Sequence, residues 1–68
     1  MSAVPVTFVV HQALAQSPKP LTVRELAQRL AMPVPAVARA VERNLCARTL
    51  RRVARADVRQ GYAYQVAA

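Results

Sequence analysis

Arginine is the residue whose chemistry dominates this sequence. Ten lysines and arginines stand against three aspartates and glutamates, which leaves a formal net charge of +7 in 68 residues, and nine of the ten basic residues are arginine. The guanidinium is always charged, and its planar fork of N–H donors fits phosphate oxygens and the edge of guanine. A genome with arginine-favouring codons explains arginine in place of lysine, but it does not explain the shortage of acids. The composition therefore indicates a polyanionic partner, with nucleic acid as the leading candidate.

Residues for catalysis or metal binding are too few and too scattered. The chain has one histidine and one cysteine, His11 and Cys46, and its carboxylates are far apart in sequence, at Glu25, Glu42 and Asp57. This set supplies neither metal-ligand spacing nor a nucleophile beside a base, and a single glycine excludes a glycine-rich phosphate loop. We therefore expect no enzymatic activity, no metal and no cofactor. His11 is expected on a helix surface or at a dimer contact, and Cys46 as a partly buried small hydrophobe.

Chain length and apolar content predict a single small domain over residues 1–68. Hydrophobic residues make up 54% of the sequence, which is enough to fold rather than remain disordered. A domain of this size buries only about 60% of its unfolded surface, so a second copy or a nucleic acid would add stability. The apolar run Phe8–Val10 is far too short to cross a bilayer and exceeds what one helix needs for a small core. We expect a cytoplasmic homodimer that pairs through the first helix, without membrane contact.

Prolines and capping residues divide the first two thirds of the chain into three predicted helices, at 7–16, 22–31 and 34–48. Thr7 is the expected N-cap of the first. Thr22 and Glu25 have the spacing of a capping box at the start of the second. Pro35 falls in the first turn of the third, where its missing N–H is not needed. Apolar residues at helical spacing give the second and third helices one buried face each.

The last third of the chain predicts a β-hairpin, with strands at 50–58 and 62–67. The triplet Arg59–Gly61 supplies the turn, and Gly61 supplies its backbone freedom. Tyr62, Tyr64 and Val66 alternate with smaller or polar residues, so we expect these three side chains on the buried face of the hairpin.

The order of these elements resembles the winged helix-turn-helix domain of bacterial and phage transcriptional regulators. Within 26–45, Ala27 is the small residue that the helix contact needs, Met32 fills the turn, and three apolar residues anchor the following helix, namely Val37, Val41 and Leu45. The resemblance implies an α+β fold in which the hairpin is the wing and the stretch around Leu21–Val23 pairs with it as a third strand. Two positions depart from the pattern. Ala31 stands where glycine is frequent, so the turn either avoids a left-handed angle or tolerates strain, and Pro33 replaces a Ser or Thr cap.

The same resemblance implies a double-stranded DNA partner and a role in transcriptional regulation, on a palindromic site bound by a homodimer. The third helix would read the major groove, while the second helix and the wing would hold phosphate or reach the minor groove. The expected contact residues are Arg24, Pro35, Ala36, Arg39, Ala40, Arg43, Asn44, Arg51, Arg52, Arg55 and Arg59.

Two other functions fit the sequence. The third helix presents few polar groups besides its arginines, and such a face of Pro, Ala and Val also suits a protein partner. The alternative is therefore a winged-helix interaction module, such as a phage or plasmid antagonist or a docking subunit. General coating of DNA or RNA through charge alone is the other possibility, and it predicts equal affinity for unrelated duplexes.

Overall fold

Three helices precede a two-stranded antiparallel sheet in the computed structural model, which describes residues 4–59 and 61–67. In chain order the elements are α1 (Val6–Gln16), α2 (Val23–Leu30), α3 (Val34–Cys46), β1 (Leu50–Val53) and β2 (Ala63–Val66). This confirms the α+β architecture of three helices and a C-terminal hairpin. The described residues contain no helix that is both long enough and apolar enough to span a bilayer.

The first helix begins earlier than its predicted cap. Pro5 is the N-cap residue, and its carbonyl accepts hydrogen bonds from the N–H groups of Phe8 and Val9 at 3.0 and 3.1 Å. No side chain caps this end, and Thr7 lies inside the helix. The prediction of Thr7 as N-cap was therefore wrong, because Pro5 already supplies the extended backbone from which the helix starts.

The second helix begins with the predicted capping box. The Glu25 backbone N–H donates to Thr22 Oγ1 at 3.1 Å, and the Thr22 N–H donates to Glu25 Oε1 at 2.9 Å. The helix ends at Ala31, which adopts φ 53° and ψ 47° in the left-handed region. Of the two expectations for this turn, the strained one is correct. The Met32 N–H then donates to the Ala27 carbonyl at 3.0 Å and closes the turn into α3.

The third helix starts without a side-chain cap, as predicted from Pro33. It ends two residues before the predicted boundary, because Arg48 adopts a φ of 62° that a right-handed helix cannot continue. The Thr49 N–H and Oγ1 both return to the Asn44 carbonyl, at 3.0 and 3.1 Å, and direct the chain into β1.

The hairpin has shorter strands and a longer connection than predicted. Leu50 pairs with Val66 and Val53 with Ala63, and β1 stops at Val53 rather than at 58. The described residues between the strands, 54–59 and 61–62, lie outside the sheet and are here named the wing loop, while Gln60 of the predicted turn lies outside the described residues. The anticipated third strand is present as one antiparallel bridge, in which Leu21 and Tyr64 exchange hydrogen bonds of 3.1 and 2.8 Å.

Side-chain placement on the hairpin differs from the alternation prediction in one respect. Tyr64 and Val66 are partly buried against the core, as expected, but Tyr62 is 51% exposed and Ala63 is fully buried. Tyr62 precedes β2 and therefore has no cross-strand partner.

The core lies where the three helices meet the hairpin. Leu26, Val10, Val37 and Val41 are its largest fully buried side chains, with Leu50 contributed by β1. Burial of this apolar surface fixes α3 against both α1 and the sheet, which determines the face that α3 presents to solvent. Within the described residues, Asn44 is the single buried polar side chain.

Candidate nucleic-acid interface

The outer face of α3 presents two of the predicted base-reading residues as free cations. Arg39 and Arg43 are exposed, and together with Ala36 they line a groove that the residues before and at the start of α1 close on the other side. Pro35 is exposed in the first turn of α3, and Ala36 is half-buried. Arg39 and Arg43 are one helical turn apart, a spacing that places both guanidinium groups on one side of the helix.

Two predicted contacts, Ala40 and Asn44, are buried. Ala40 is 3% and Asn44 7% exposed, so neither side chain is available to a partner on the outer face. Asn44 Nδ2 donates to the Thr7 carbonyl at 2.9 Å, while its Oδ1 accepts from Thr49 Oγ1 at 3.1 Å. The assignment of Asn44 to base reading is corrected by these bonds. Its amide joins α1 to the segment before β1.

Exposed arginines also surround the sheet and the start of α2. Arg51 and Arg52 project from β1, Arg59 is exposed in the wing loop, and Arg24 is exposed in the first turn of α2. The Arg52 guanidinium carbon lies 5.9 Å from the centre of the Tyr62 ring, a cation–π distance. Stacking of this kind restrains a long side chain while leaving its N–H groups available for hydrogen bonding.

Arg55 departs from the prediction that it contacts phosphate, because its side chain is only 14% exposed and bound on all sides. Nη1 donates to Glu25 Oε1 at 2.6 Å and to the Pro20 carbonyl at 2.9 Å. Nε donates to Asp57 Oδ1 at 2.9 Å, and Nη2 donates to Asp57 Oδ2 and, at 3.5 Å, to Glu25 Oε2. A guanidinium has five N–H donors, so none is left for a phosphate.

This ion-pair cluster shifts the pKa values of its members. The pKa of the Glu25 carboxyl is lowered, first by the hydrogen bond from the Thr22 backbone and then by Arg55. The Asp57 pKa is lowered mainly by the hydrogen bonds from Arg55, and both carboxylates raise the pKa of the guanidinium. All three groups are therefore charged at neutral pH. No local spacing rule identifies the pair, because Arg55 and Glu25 are 30 residues apart.

Two of the three acidic side chains pair with the same arginine, and this leaves the remaining surface strongly positive. Arg55 forms ion pairs with both Glu25 and Asp57. Nine basic side chains then remain, with one other carboxylate, that of Glu42, to offset their charge. Among the described residues no other ion pair forms, so these cations are available to an external polyanion.

A cleft lies between the wing loop and the helix-turn-helix, and both contribute residues to it. Its walls come from the starts of α2 and α3, from the wing loop and from β2, and they include Arg24, Val34, Val58, Tyr62 and Tyr64. Val34 is 46% exposed, so the entrance combines apolar side chains with the Arg24 cation. The start of α3 and the wing therefore border one continuous surface.

Two further predicted features are placed by the structure. Cys46 is exposed at the end of α3, so the expected partial burial was wrong, since the residue lies on the solvent side of the helix. His11 is half-buried on α1. The part of the chain that the structure describes has no cluster of three His, Cys, Asp or Glu side chains that could hold a metal.

Comparison with known structures fits this arrangement. The chain is similar to the crystal structure of the transcriptional regulator PA3341, with a TM-score of 0.77 and 28% sequence identity over 90% of this chain. The chain is a winged helix-turn-helix domain. The winged helix-turn-helix domain spans 44% of the length of that regulator. No protein-family model and no curated protein matches the sequence.

Proposed function

We propose that this winged helix-turn-helix domain binds double-stranded DNA and regulates transcription, with α3 in the major groove. The observation that carries the proposal is the distribution of charge. Apart from the Arg55 cluster, nine cations face one carboxylate, and Arg39 and Arg43 project from the exposed side of α3. Similarity to a transcriptional regulator supports the same conclusion. DNA binding requires access to the compartment that holds the DNA, which is the cytoplasm in a bacterial cell.

The exposed residues divide into two roles. Arg39 and Arg43 are suited to bidentate hydrogen bonds with guanine, while Pro35 and Ala36 supply apolar contacts of the kind that thymine methyl groups accept. The phosphate contacts come from Arg24 at the start of α2 and from the wing, through Arg51, Arg52 and Arg59. Phosphate contacts fix orientation and base contacts give specificity, so the two sets respond differently to mutation.

The test measures binding of labelled duplexes after selection of a preferred sequence. Arg39→Ala and Arg43→Ala each remove one candidate base contact, and each should cost about 1–3 kcal/mol on the selected duplex and relax discrimination against mismatches. Arg48→Gln is the matched control. Arg48 is also exposed, but it lies after the end of α3 and outside both proposed interfaces. Equal losses from all three variants, with equal affinity for unrelated duplexes, would instead indicate coating by charge alone.

We further propose that two copies pair through the apolar side of α1. Phe8 and Val4 are 56% and 58% exposed, and they line a groove with Val9 and Leu30. Apolar exposure on this scale in a small domain indicates a protein contact, and a two-fold pair matches a palindromic site. Sedimentation of the wild-type chain should show a dimer, and Phe8→Glu should convert it to a monomer. A monomeric wild-type chain would contradict this.

One observation favours the alternative of a protein-interaction module. The start of α3 presents exposed Val34 and Pro35, which form an apolar surface beside the arginines. Under this alternative, Val34→Asp abolishes a protein complex, while Arg39→Ala and Arg43→Ala leave nucleic-acid binding intact. DNA binding predicts the reverse dependence on the arginines.

A further inference from the structure

We propose that Arg55 is a positioning residue, which clamps the wing loop to the start of α2 and so aligns the wing arginines with α3 on a duplex. This inference rests on the proposed DNA-binding function. Arg55 itself does not contact DNA in this proposal. Its role is to define where the arginines around it are held.

All five N–H groups of the Arg55 guanidinium donate hydrogen bonds, and this supports the clamp. Nε and Nη2 donate to the two oxygens of the Asp57 carboxylate, and Nη1 and Nη2 donate to those of Glu25. Nη1 also donates to the Pro20 carbonyl. Bidentate guanidinium–carboxylate pairs restrict orientation as well as distance. Two pairs that share one planar group therefore define the position of the Arg55 backbone relative to both partners.

The acceptors lie in two parts of the chain. Pro20, at the end of the linker after α1, and Glu25, in the first turn of α2, lie 35 and 30 residues before Arg55, whereas Asp57 lies with Arg55 in the wing loop. Glu25 Oε1 also accepts the Thr22 N–H in the capping box. The same carboxylate thus starts α2 and holds the wing loop, and α2 leads through the turn at Ala31 into α3.

Among the described residues, no hydrogen bond other than those of Arg55 joins the wing loop to α2 or to the linker before it. The Leu21–Tyr64 bridge holds β2, and the Val58 N–H closes a turn within the wing loop onto the Arg55 carbonyl at 3.1 Å. Neither bond ties the wing loop to α2. Without the clamp, the loop that carries Arg59 and Tyr62, the ring on which Arg52 stacks, would no longer be held against the start of α2.

Three conservative variants separate a clamp from a simple charge effect. Glu25→Gln and Asp57→Asn each raise the net charge by one, so electrostatic attraction alone predicts tighter duplex binding. Glutamine keeps the capping box, and α2 should therefore still form. Arg55→Lys keeps the net charge, but an ammonium cannot form the two planar pairs. The control is Arg48→Lys, because Arg48 is equally charged, exposed and outside the proposed interface.

The clamp predicts weaker binding from all three variants. We expect roughly tenfold lower duplex affinity at low salt, and a log–log salt slope smaller in magnitude by about 0.9 for each phosphate that the variant no longer neutralises. Arg48→Lys should change neither quantity beyond about twofold, since it retains the point charge. Unchanged or tighter binding by Glu25→Gln and Asp57→Asn would overturn the clamp.

A second measurement tests the clamp in the free protein. Amide hydrogen exchange of Val58 should accelerate in the three variants, while the amides of Val37 and Val41 in α3 should retain their protection. Faster exchange only at the wing supports the clamp whether or not DNA binds. Unchanged exchange at Val58 in all three variants would overturn it. If the wild-type chain fails to bind any duplex, the DNA-binding function fails, and the exchange data still decide whether Arg55 holds the wing.

Discussion

At the scale of single residues, the turn between α2 and α3 depends on an alanine in a conformation that suits glycine. Ala31 has a φ of 53°, a left-handed angle that places Cβ close to the following carbonyl oxygen. The sharp change of direction in the helix-turn-helix is therefore achieved at a cost in backbone strain.

Relief of this strain is measurable. Ala31→Gly should raise the free energy of unfolding by about 0.5–1 kcal/mol, because removal of the strain exceeds the entropy that glycine adds to the unfolded chain. The matched control is Ala38→Gly in the middle of α3, where the same exchange should lower it by about 1 kcal/mol. Urea unfolding of both variants measures these changes in the free energy of unfolding. Destabilisation by Ala31→Gly would contradict the left-handed backbone angle of Ala31.

Asn44 is the second residue whose role depends on its contacts. Asn44→Ala removes the hydrogen bonds to the Thr7 carbonyl and to Thr49 Oγ1, so the free energy of unfolding should fall by about 1–3 kcal/mol. Because the side chain is buried, the salt slope of duplex binding should remain that of the wild type wherever the variant is folded. A changed slope with unchanged stability would restore Asn44 to the interface.

At the scale of elements, the start of α2 has three roles. It caps the helix, it anchors the wing loop, and it holds one of the two carboxylates that Arg55 neutralises. The Thr22–Glu25 pair satisfies the first turn of α2, and Arg55 binds the same carboxylate from the other side. An acid near a helix N-terminus is also favoured by the helix dipole. Protonation of this site should therefore affect the helix and the wing together.

The lowered carboxyl pKa values give this coupling a pH dependence. In the folded state the pKa of Glu25 is lowered by the Thr22 hydrogen bond and by Arg55, and that of Asp57 by Arg55 with help from Lys19. The unfolded chain therefore binds more protons, so the stabilisation is present above the ordinary carboxyl pKa and is lost as the pH falls through the folded value. Urea midpoints measured from pH 7 down to pH 3 should decrease. The double variant E25Q/D57N should show a smaller decrease, and an identical decrease would contradict the assignment.

At the scale of the whole molecule, the surface carries many unpaired arginines, because two of the three acids are bound to Arg55. The exposed arginines of the proposed interface lie on α2, α3, β1 and the wing loop, at Arg24, Arg39, Arg43, Arg51, Arg52 and Arg59. A duplex that touches all of these elements would release counterions from several phosphates.

Salt dependence measures this directly. One phosphate contact from each of the four arginines assigned to phosphate, Arg24, Arg51, Arg52 and Arg59, would give a log–log slope near −3.6 per domain, so affinity should fall about 150-fold between 50 and 200 mM salt. Fluorescence anisotropy with a short labelled duplex supplies the measurement, and a similar titration of Arg48→Gln serves as the reference for removal of a charge outside the interface. A flat response would contradict the whole charge-based interface.

The local elements were predictable because their signals act over a few residues. The Thr22–Glu25 box, the missing side-chain cap at Pro33 and the apolar face of α3 were each read correctly within one turn of helix. The strand ends and the exposure of Tyr62 were not predicted correctly. They depend on the long-range bond between Arg55 and Glu25, which holds the chain near α2 just after β1 ends at Val53. Resemblance to the winged helix supplied the candidate contact residues, but not which of their side chains are free.

Amino-acid sequence by itself determined the positive charge, the three helices and the hairpin that follows them. Those features arise from composition and from interactions between near neighbours in the chain. Tertiary structure alone decided which polar groups are exposed and which form hydrogen bonds within the protein. Asn44 meets Thr7 across 37 residues and Arg55 meets Glu25 across 30, and burial of the core brings each pair together. Hydrogen bonds between groups so far apart in sequence depend on packing, for which no local pattern exists.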